Sequence, residues 1–229
     1  MAHRTQFEEA RRRAHDARVD LDHRNPSWSA QCVVAGAILL GLALPDQLTI
    51  GNRWWIPACE GLLLAGLIAW TPSSPSHEQP RRRVLRFVLV SLVSFVNVVA
   101  LFLLVQQLVS GGQTDGRSLL LGGAVLWLTS VLLFAVWFWE VDRGGPIRRL
   151  VGEDNDADFL FPQMEHGDAG WEPGMAEYLY LSLTNAASFA PAEAYPLTAS
   201  AKVAMSIQTI ASLATTTVVL AYAINSLNG

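Results

Sequence analysis

Long apolar segments separated by short polar ones dominate this 229-residue chain. Helices of 14 to 26 residues are predicted at 31–44, 56–70, 84–109, 118–139 and 202–227. A bilayer core of about 30 Å needs roughly 20 apolar residues in a helix, so the last three segments are long enough to cross it and the first two are short. The pattern predicts an all-α integral membrane helical bundle with about five transmembrane helices.

A further apolar segment, residues 176–189, is too short to cross a bilayer. A turn containing Pro and Glu, residues 190–196, follows it and leads to the last predicted span. A short helix, a polar turn and a full span are typical of a re-entrant hairpin, which brings non-helical backbone to membrane depth where protein or water surrounds it. We therefore expect a short re-entrant or interfacial helix before the last span.

The polar segments leave room for a single membrane domain. We predict a polar N-terminal arm over residues 1–28, a membrane domain over 29–229 and a loop over 142–172. The first apolar run follows a long polar arm, so a cleaved secretory signal is not expected.

The positive charges predict an orientation. With five spans and the N-terminus inside, fourteen of the sixteen Lys and Arg residues lie on inside segments, and only Arg53 and Arg117 lie outside. Cytoplasmic segments carry such an excess of Lys and Arg. We therefore expect the N-terminal arm and the 142–201 segment in the cytoplasm and the C-terminus outside.

Composition and motifs narrow the function classes. The net charge of -4 argues against a nucleic-acid partner. Common catalytic, phosphate-binding and metal-binding motifs are absent from the sequence, so no enzyme activity, cofactor or metal site is predicted. The residues that would favour a membrane enzyme are Glu140, Asp142 and His166. Cys32 and Cys59 lie in apolar segments and are predicted to be small buried residues without a disulfide.

The last span has one polar face. Six of its residues follow one another at spacings of three and four, which places them on one side of a helix. They are Gln208, Ser212, Thr215, Val219, Tyr222 and Ser226, which we call the polar stripe. The stripe either packs on neighbouring helices or lines water, and we favour packing.

Two polar residues lie inside other predicted spans. Glu60 is a candidate for an ion or proton path, and the alternative is that it extends to the interface near Trp54 and Trp55. Asn97 is predicted to make an interhelical hydrogen bond rather than to bind a substrate.

The turn before the last span resembles the filter segment of potassium channels. Residues 188–198 read S-F-A-P-A-E-A-Y-P-L-T and align without a gap on T-V-G-Y-G-D-x-x-P-x-T, and Lys202 falls where that family commonly has a basic residue. The resemblance implies a two-helix pore module with a pore helix at 178–187, an outer helix at 118–139 and an inner helix at 202–227. It implies pore-loop roles for Thr184, Ser188, Phe189, Ala190, Pro191, Ala192 and Glu193.

The filter positions depart from the potassium-channel pattern. Ala190 and Ala192 replace the two glycines, and Pro191 replaces the tyrosine. Because glycine permits the backbone angles that aim successive carbonyls at the ion, potassium selectivity is not expected. Glu193 either contributes to a ring of carboxylates at a pore mouth or is a solvated loop residue.

The predicted orientation also differs from that of potassium channels, whose pore loop enters from outside. Three alternatives remain: the first two segments do not both cross, the hairpin is inverted, or the likeness is accidental.

Residues 80–227 also resemble an uncharacterised family of bacterial multi-pass membrane proteins, a domain of unknown function. The resemblance rests on F-W-E-V-D-R-G-G at 138–145, D-F-L-F-P-Q at 158–163 and Y-L-Y-L-S at 178–182. It implies a bacterial plasma membrane protein without an established activity. Our hypothesis is a homo-oligomeric ion channel in the lipid bilayer, tetrameric if channel-like. Monovalent ions are candidate permeant species, and the sequence does not predict the selectivity. The alternative is a non-conducting membrane scaffold or accessory protein.

Overall fold

The computed structural model describes residues 26–49, 54–69, 80–109, 116–145, 156–165, 171–188 and 194–227, and these are mostly helical. The helices are α1 (Pro26–Leu42), α2 (Trp55–Ala69), α3 (Pro80–Val109), α4 (Gly116–Val141), α5 (Pro162–Glu165), α6 (Met175–Ser188) and α7 (Ala199–Leu227). Two 3-10 turns, Asp46–Leu48 and Asp142–Gly144, follow α1 and α4. Strands β1 (Phe159–Leu160) and β2 (Tyr195–Pro196) form a short antiparallel ladder.

Three of these helices contain a segment long and apolar enough to cross a membrane: Arg83–Gln107, Arg117–Gly144 and Ala199–Ile224. Helices α1 and α2 are apolar but shorter, and both coincide with predicted spans. The fold is thus a largely helical bundle with three candidate membrane-spanning helices.

Some predicted boundaries differ from the observed ones. Helix α1 begins at Pro26, inside the predicted arm, because proline fits the first turn of a helix; residues 1–25 lie outside the described residues. The predicted loop 142–172 contains β1 and α5, so the fold is not purely α-helical. The predicted short helix at 176–189 is observed as Met175–Ser188.

Helix α4 lies at the centre of the bundle, and α1 runs antiparallel along it. Ala30, near the start of α1, shares a buried cluster with Phe138, near the end of α4. At the opposite end of α4, a Cβ on Gly122 would lie only 2.5 Å from Leu48, in the turn after α1. Helix α1 and its turn therefore follow about 24 Å of α4, taking 1.5 Å for each residue from 122 to 138.

Helix α7 also runs antiparallel to α4. Ala201, at its start, shares the cluster of Phe138. At the other end, a Cβ on Gly123 would lie 2.2 Å from Cγ2 of Val219. Glycine at this position lets the two helix backbones approach closely, as small residues do between membrane helices.

Residues 142–145, 156–165, 171–177 and 194–198 lie together at the end of α4 that is nearer Phe138, and we call them the cap. Its interior is an aromatic cluster with ring centroids 5.3 to 6.4 Å apart, formed by Phe138, Phe159, Phe161, Trp171 and Tyr178. Edge-to-face and tilted ring pairs of this kind add to the stabilisation from apolar burial. The cap thereby fixes the starts of α6 and α7 against the end of α4.

Candidate functional site

The cap is organised by two aspartates, and Asp142 is the first. It is fully buried directly after α4. One carboxylate oxygen accepts hydrogen bonds from the backbone N–H groups of Asp158 (2.9 Å) and Phe159 (3.3 Å), and the other accepts from the Tyr178 hydroxyl (2.5 Å). A buried carboxylate is stable only when its lone pairs are satisfied in this way. Asp142 therefore joins α4, β1 and α6.

Asp158 is the second organising aspartate. Its Oδ2 accepts from the backbone N–H of Arg143 (2.9 Å), and its Oδ1 accepts from the hydroxyls of Thr198 and Ser200. Thr198 also accepts a hydrogen bond from the backbone N–H of Ala201 (3.3 Å), as an N-cap residue of α7 does. Asp158 therefore holds the start of α7 against the end of α4.

Helix α6 leaves the cap and runs along α4 towards its middle. Near its start, Tyr178 binds Asp142, and one turn later the Ser182 hydroxyl donates to the Val131 carbonyl (2.7 Å). Val131 precedes Asp142 by eleven residues, which is about 16 Å along a helix. Helix α6 is thus antiparallel to α4 and parallel to α7.

The chain is back at the cap by Ala194, which is buried in the aromatic cluster. Leu160 pairs with Tyr195 across the ladder, and the backbone N–H of Leu197 donates to the carbonyl of Asp158 (2.8 Å). Residues 189–193, which connect α6 to this point, lie outside the described residues. Helix α6 therefore leads away from the cap, and the chain is at the cap again six residues after the end of α6.

A buried polar network joins α6 to α7. The side-chain amide of Gln208 donates to the carbonyl and the hydroxyl oxygen of Ser182, at 2.9 and 2.6 Å. The amide of Asn185 donates to Oε1 of Gln208 (2.8 Å) and to the carbonyl of Met205 (3.1 Å). Ser182, Asn185 and Gln208 are 0 to 2% exposed. Both amides therefore have partners inside one chain.

Three further residues of the polar stripe also face the bundle. Ser212 and Thr215 are buried, and the Thr215 hydroxyl donates to the carbonyl of Ala211 in its own helix. Tyr222 is half-buried and packs with Val218 against the cluster at the far end of α4. In the single chain, Gln208, Ser212 and Thr215 thus contact other helices and do not line an open surface.

The residues assigned to the pore loop lie at or beyond the end of α6. Thr184 is half-buried, and its hydroxyl donates to the carbonyls of Tyr180 (2.9 Å) and Leu181 (3.1 Å). Ser188 is the last residue of α6. The other five, Phe189, Ala190, Pro191, Ala192 and Glu193, lie outside the described residues. A cavity of about 200 Å³ lies between α6 and the cap, lined by Thr184, Phe161, Glu177, Tyr180 and others.

The carboxylates considered for catalysis have structural partners. Glu140 is 3% exposed in its side chain and forms an ion pair with Arg86 of α3, with Nε and Oε1 2.8 Å apart. Asp142 binds two backbone N–H groups and Tyr178, as described above. His166 lies outside the described residues. The two described carboxylates thus tie helices together.

The structure also describes the two cysteines and the two polar residues that the sequence placed inside predicted spans. Cys32 and Cys59 are both free and exposed, so the prediction that they are buried is wrong: they lie on the outward faces of α1 and α2. The Asn97 side chain is half-buried and forms no hydrogen bond to another described residue, so the predicted interhelical bond is not observed. Glu60 is buried in the bundle.

Sequence reasoning did not single out Asp158, Tyr178, Ser182 or Asn185. The available signal was the spacing of Ser182 and Asn185, three residues apart on a mostly apolar helix, which places both on one face. No family model, curated protein or solved structure matches the chain.

Proposed function

We propose that the chain is a membrane protein with five spans, α1, α2, α3, α4 and α7, and that α6 is a re-entrant helix. The antiparallel packing of α1 and its turn along α4 supports a crossing by α1, although the helix itself is short. Trp28 is exposed at the start of α1, and Trp54 and Trp55 are exposed at the start of α2. Tryptophans at opposite ends of a hairpin fit the two membrane interfaces.

One observation supports the re-entrant path of α6. Ser182 forms a hydrogen bond to the middle of α4, whereas Tyr195 is again at the cap. The positive-inside pattern favours a cytoplasmic cap, because Arg143, Arg148, Arg149 and Lys202 all lie between α4 and the apolar part of α7 in the sequence. On this proposal α6 enters from the cytoplasm, and the hairpin is inverted relative to that of potassium channels.

The proposed function is that of a homo-oligomeric, channel-like protein for monovalent ions. On this proposal the chain turns back within the bilayer after α6, where backbone without helical hydrogen bonds must be sheltered by protein or water. Neighbouring copies around an axis would supply that shelter. Gln208, Ser212 and Thr215 are buried within one chain, so they do not line the conduction path. On this proposal residues 188–193 of neighbouring copies form the path. Glu193 is its acidic group, and the path is not selective for potassium.

A non-conducting scaffold or accessory protein is the second candidate. It is favoured by the closed network of Ser182, Asn185 and Gln208, which satisfies its polar groups without water or a partner copy. On this alternative, α6 anchors α7 to α4, and the polar stripe is packing surface.

Reconstitution into liposomes separates the two candidates. We expect an oligomer in detergent and flux of monovalent cations, with Glu193→Ala and Glu193→Gln lowering the flux several-fold. Glu165→Ala is the matched control, because Glu165 is an exposed carboxylate of the cap and is not part of residues 188–193. A monomer, or flux no greater than that of protein-free liposomes, would contradict the channel and favour the scaffold. Flux that is insensitive to both Glu193 variants would contradict the proposed path.

A further inference from the structure

Glu60 is a buried carboxyl group in α2 that the proposed re-entrant module does not use. It is 3% exposed, and its Oε1 has no hydrogen-bond partner within the described part of the chain. Trp54 and Trp55, at the start of the same helix, are 66% and 71% exposed. The carboxyl group therefore points into the bundle instead of extending to the interface.

Among the described helices, α1 and α3 pack against α2. Helix α1 has no acidic or basic residue, and its one titratable group, Cys32, is exposed. The basic residues of α3 lie in its first two turns, and Arg86 among them is paired with Glu140. No basic side chain in the described segments forms an ion pair with Glu60.

Distance along the helices separates Glu60 from Arg86. Leu67 of α2 shares a buried cluster with Leu89 of α3, near the end of the bundle that carries Arg86. Glu60 precedes Leu67 by seven residues, which places it about 10 Å farther along α2. The carboxyl group thus lies inside the bundle, away from the ion pair.

An ionised carboxylate in such a place has a large desolvation cost, and the group is neutral unless a cation compensates for it. A metal cation would need several more ligands, and the described residues contain no group of three His, Cys, Asp or Glu that could hold one. We propose that Glu60 is a proton-binding site of the membrane domain, and that it holds an exchangeable proton at neutral pH.

Infrared spectroscopy of the full-length protein in lipid tests the proposal without any reagent. The spectrum of the wild type minus that of Glu60→Gln at pH 7 should contain the carbonyl stretching band of a protonated carboxylic acid, and this band should shift in D₂O as the proton exchanges. Carboxylate bands in its place would overturn the proposal, and so would a carbonyl band that does not shift. Glu165→Gln is the control, and its exposed carboxyl group should give carboxylate bands.

Labelling with dicyclohexylcarbodiimide provides the second measurement. The reagent takes the carboxyl proton on one nitrogen, the carboxyl oxygen adds to its central carbon, and rearrangement leaves an N-acylurea without a leaving group. We expect labelling of Glu60 at least tenfold above that of Glu165 at pH 7. Slower labelling in sodium salt would show a metal cation as the ligand and overturn the proposal.

Arg53, which lies outside the described residues, is the nearest basic residue along the chain. In an Arg53→Gln variant, Glu60 should react with dicyclohexylcarbodiimide at the wild-type rate. If Glu60 reacted about tenfold faster in this variant, Glu60 would be ion-paired with Arg53 in the wild type, which would overturn the proposal.

Discussion

Replacing Gln208 by Met removes the amide at the centre of the α6–α7 network while keeping a long, flexible side chain. Three hydrogen bonds are lost: two from Gln208 to Ser182 and one from Asn185 to Gln208. Interhelical hydrogen bonds in membrane proteins contribute about 0.6 kcal/mol each on average, and buried ones in soluble proteins about 1 kcal/mol. Since Asn185 keeps its bond to Met205, we expect the free energy of unfolding to fall by about 2 to 3 kcal/mol.

The assay is reversible unfolding in mixed micelles, followed by helix content. Ser206→Ala is the matched control, because Ser206 is exposed on the same helix and its hydroxyl donates to the carbonyl of Lys202 in that helix. We expect a change of less than about 0.5 kcal/mol for the control. If Gln208→Met were as stable as Ser206→Ala, the network would not hold α6 to α7. In that case Gln208 would be free to line water.

Three further changes test the packing of the bundle and the cap. Gly123→Ala should lower the free energy of unfolding by about 1 to 3 kcal/mol, because its Cβ would overlap Val219, and adding Val219→Ala should restore most of the loss. Asp158→Ala should cost about 2 to 3 kcal/mol by removing three hydrogen bonds and should speed proteolysis of the cap, whereas unchanged proteolysis would contradict its role. Gly145→Ala should cost about 1 to 2 kcal/mol in the same unfolding assay, because Gly145 has a φ of 103°.

The positions of the long helices could be predicted from the sequence, because continuous apolar runs leave no alternative to helices in a bilayer. The polar stripe was likewise visible, since helical periodicity alone places Gln208, Ser212 and Thr215 on one face. The partner of that face was not predictable. It depends on how α6 lies against α7, and Ser182 and Asn185 are distant from the stripe in sequence.

The cap illustrates a second limit. Asp142 and Asp158 are sixteen residues apart, and the chain between them includes segments without an apolar period. Their hydrogen bonds to backbone N–H groups and to Thr198 arise from tertiary contacts that no local pattern encodes. From the sequence, Asp142 was one of three residues available to a membrane enzyme, whereas the structure gives it buried partners within the cap. The exposed positions of Cys32 and Cys59 were missed because apolar neighbours do not distinguish an inward face from a lipid-facing one.

The depth of α6 in the membrane is the most direct test of the re-entrant hairpin. Single cysteines introduced at Ala176, Ala187 and Tyr195, all exposed, would carry spin labels in a Cys32→Ala, Cys59→Ala background. Ala187 follows Ala176 by eleven residues, so it should lie up to about 16 Å deeper. For each spin label we compare its accessibility to oxygen with its accessibility to a water-soluble nickel complex. We predict that the ratio of the first to the second is highest at Ala187 and low at Ala176 and Tyr195. Equal, interfacial depth at all three positions would contradict a re-entrant α6.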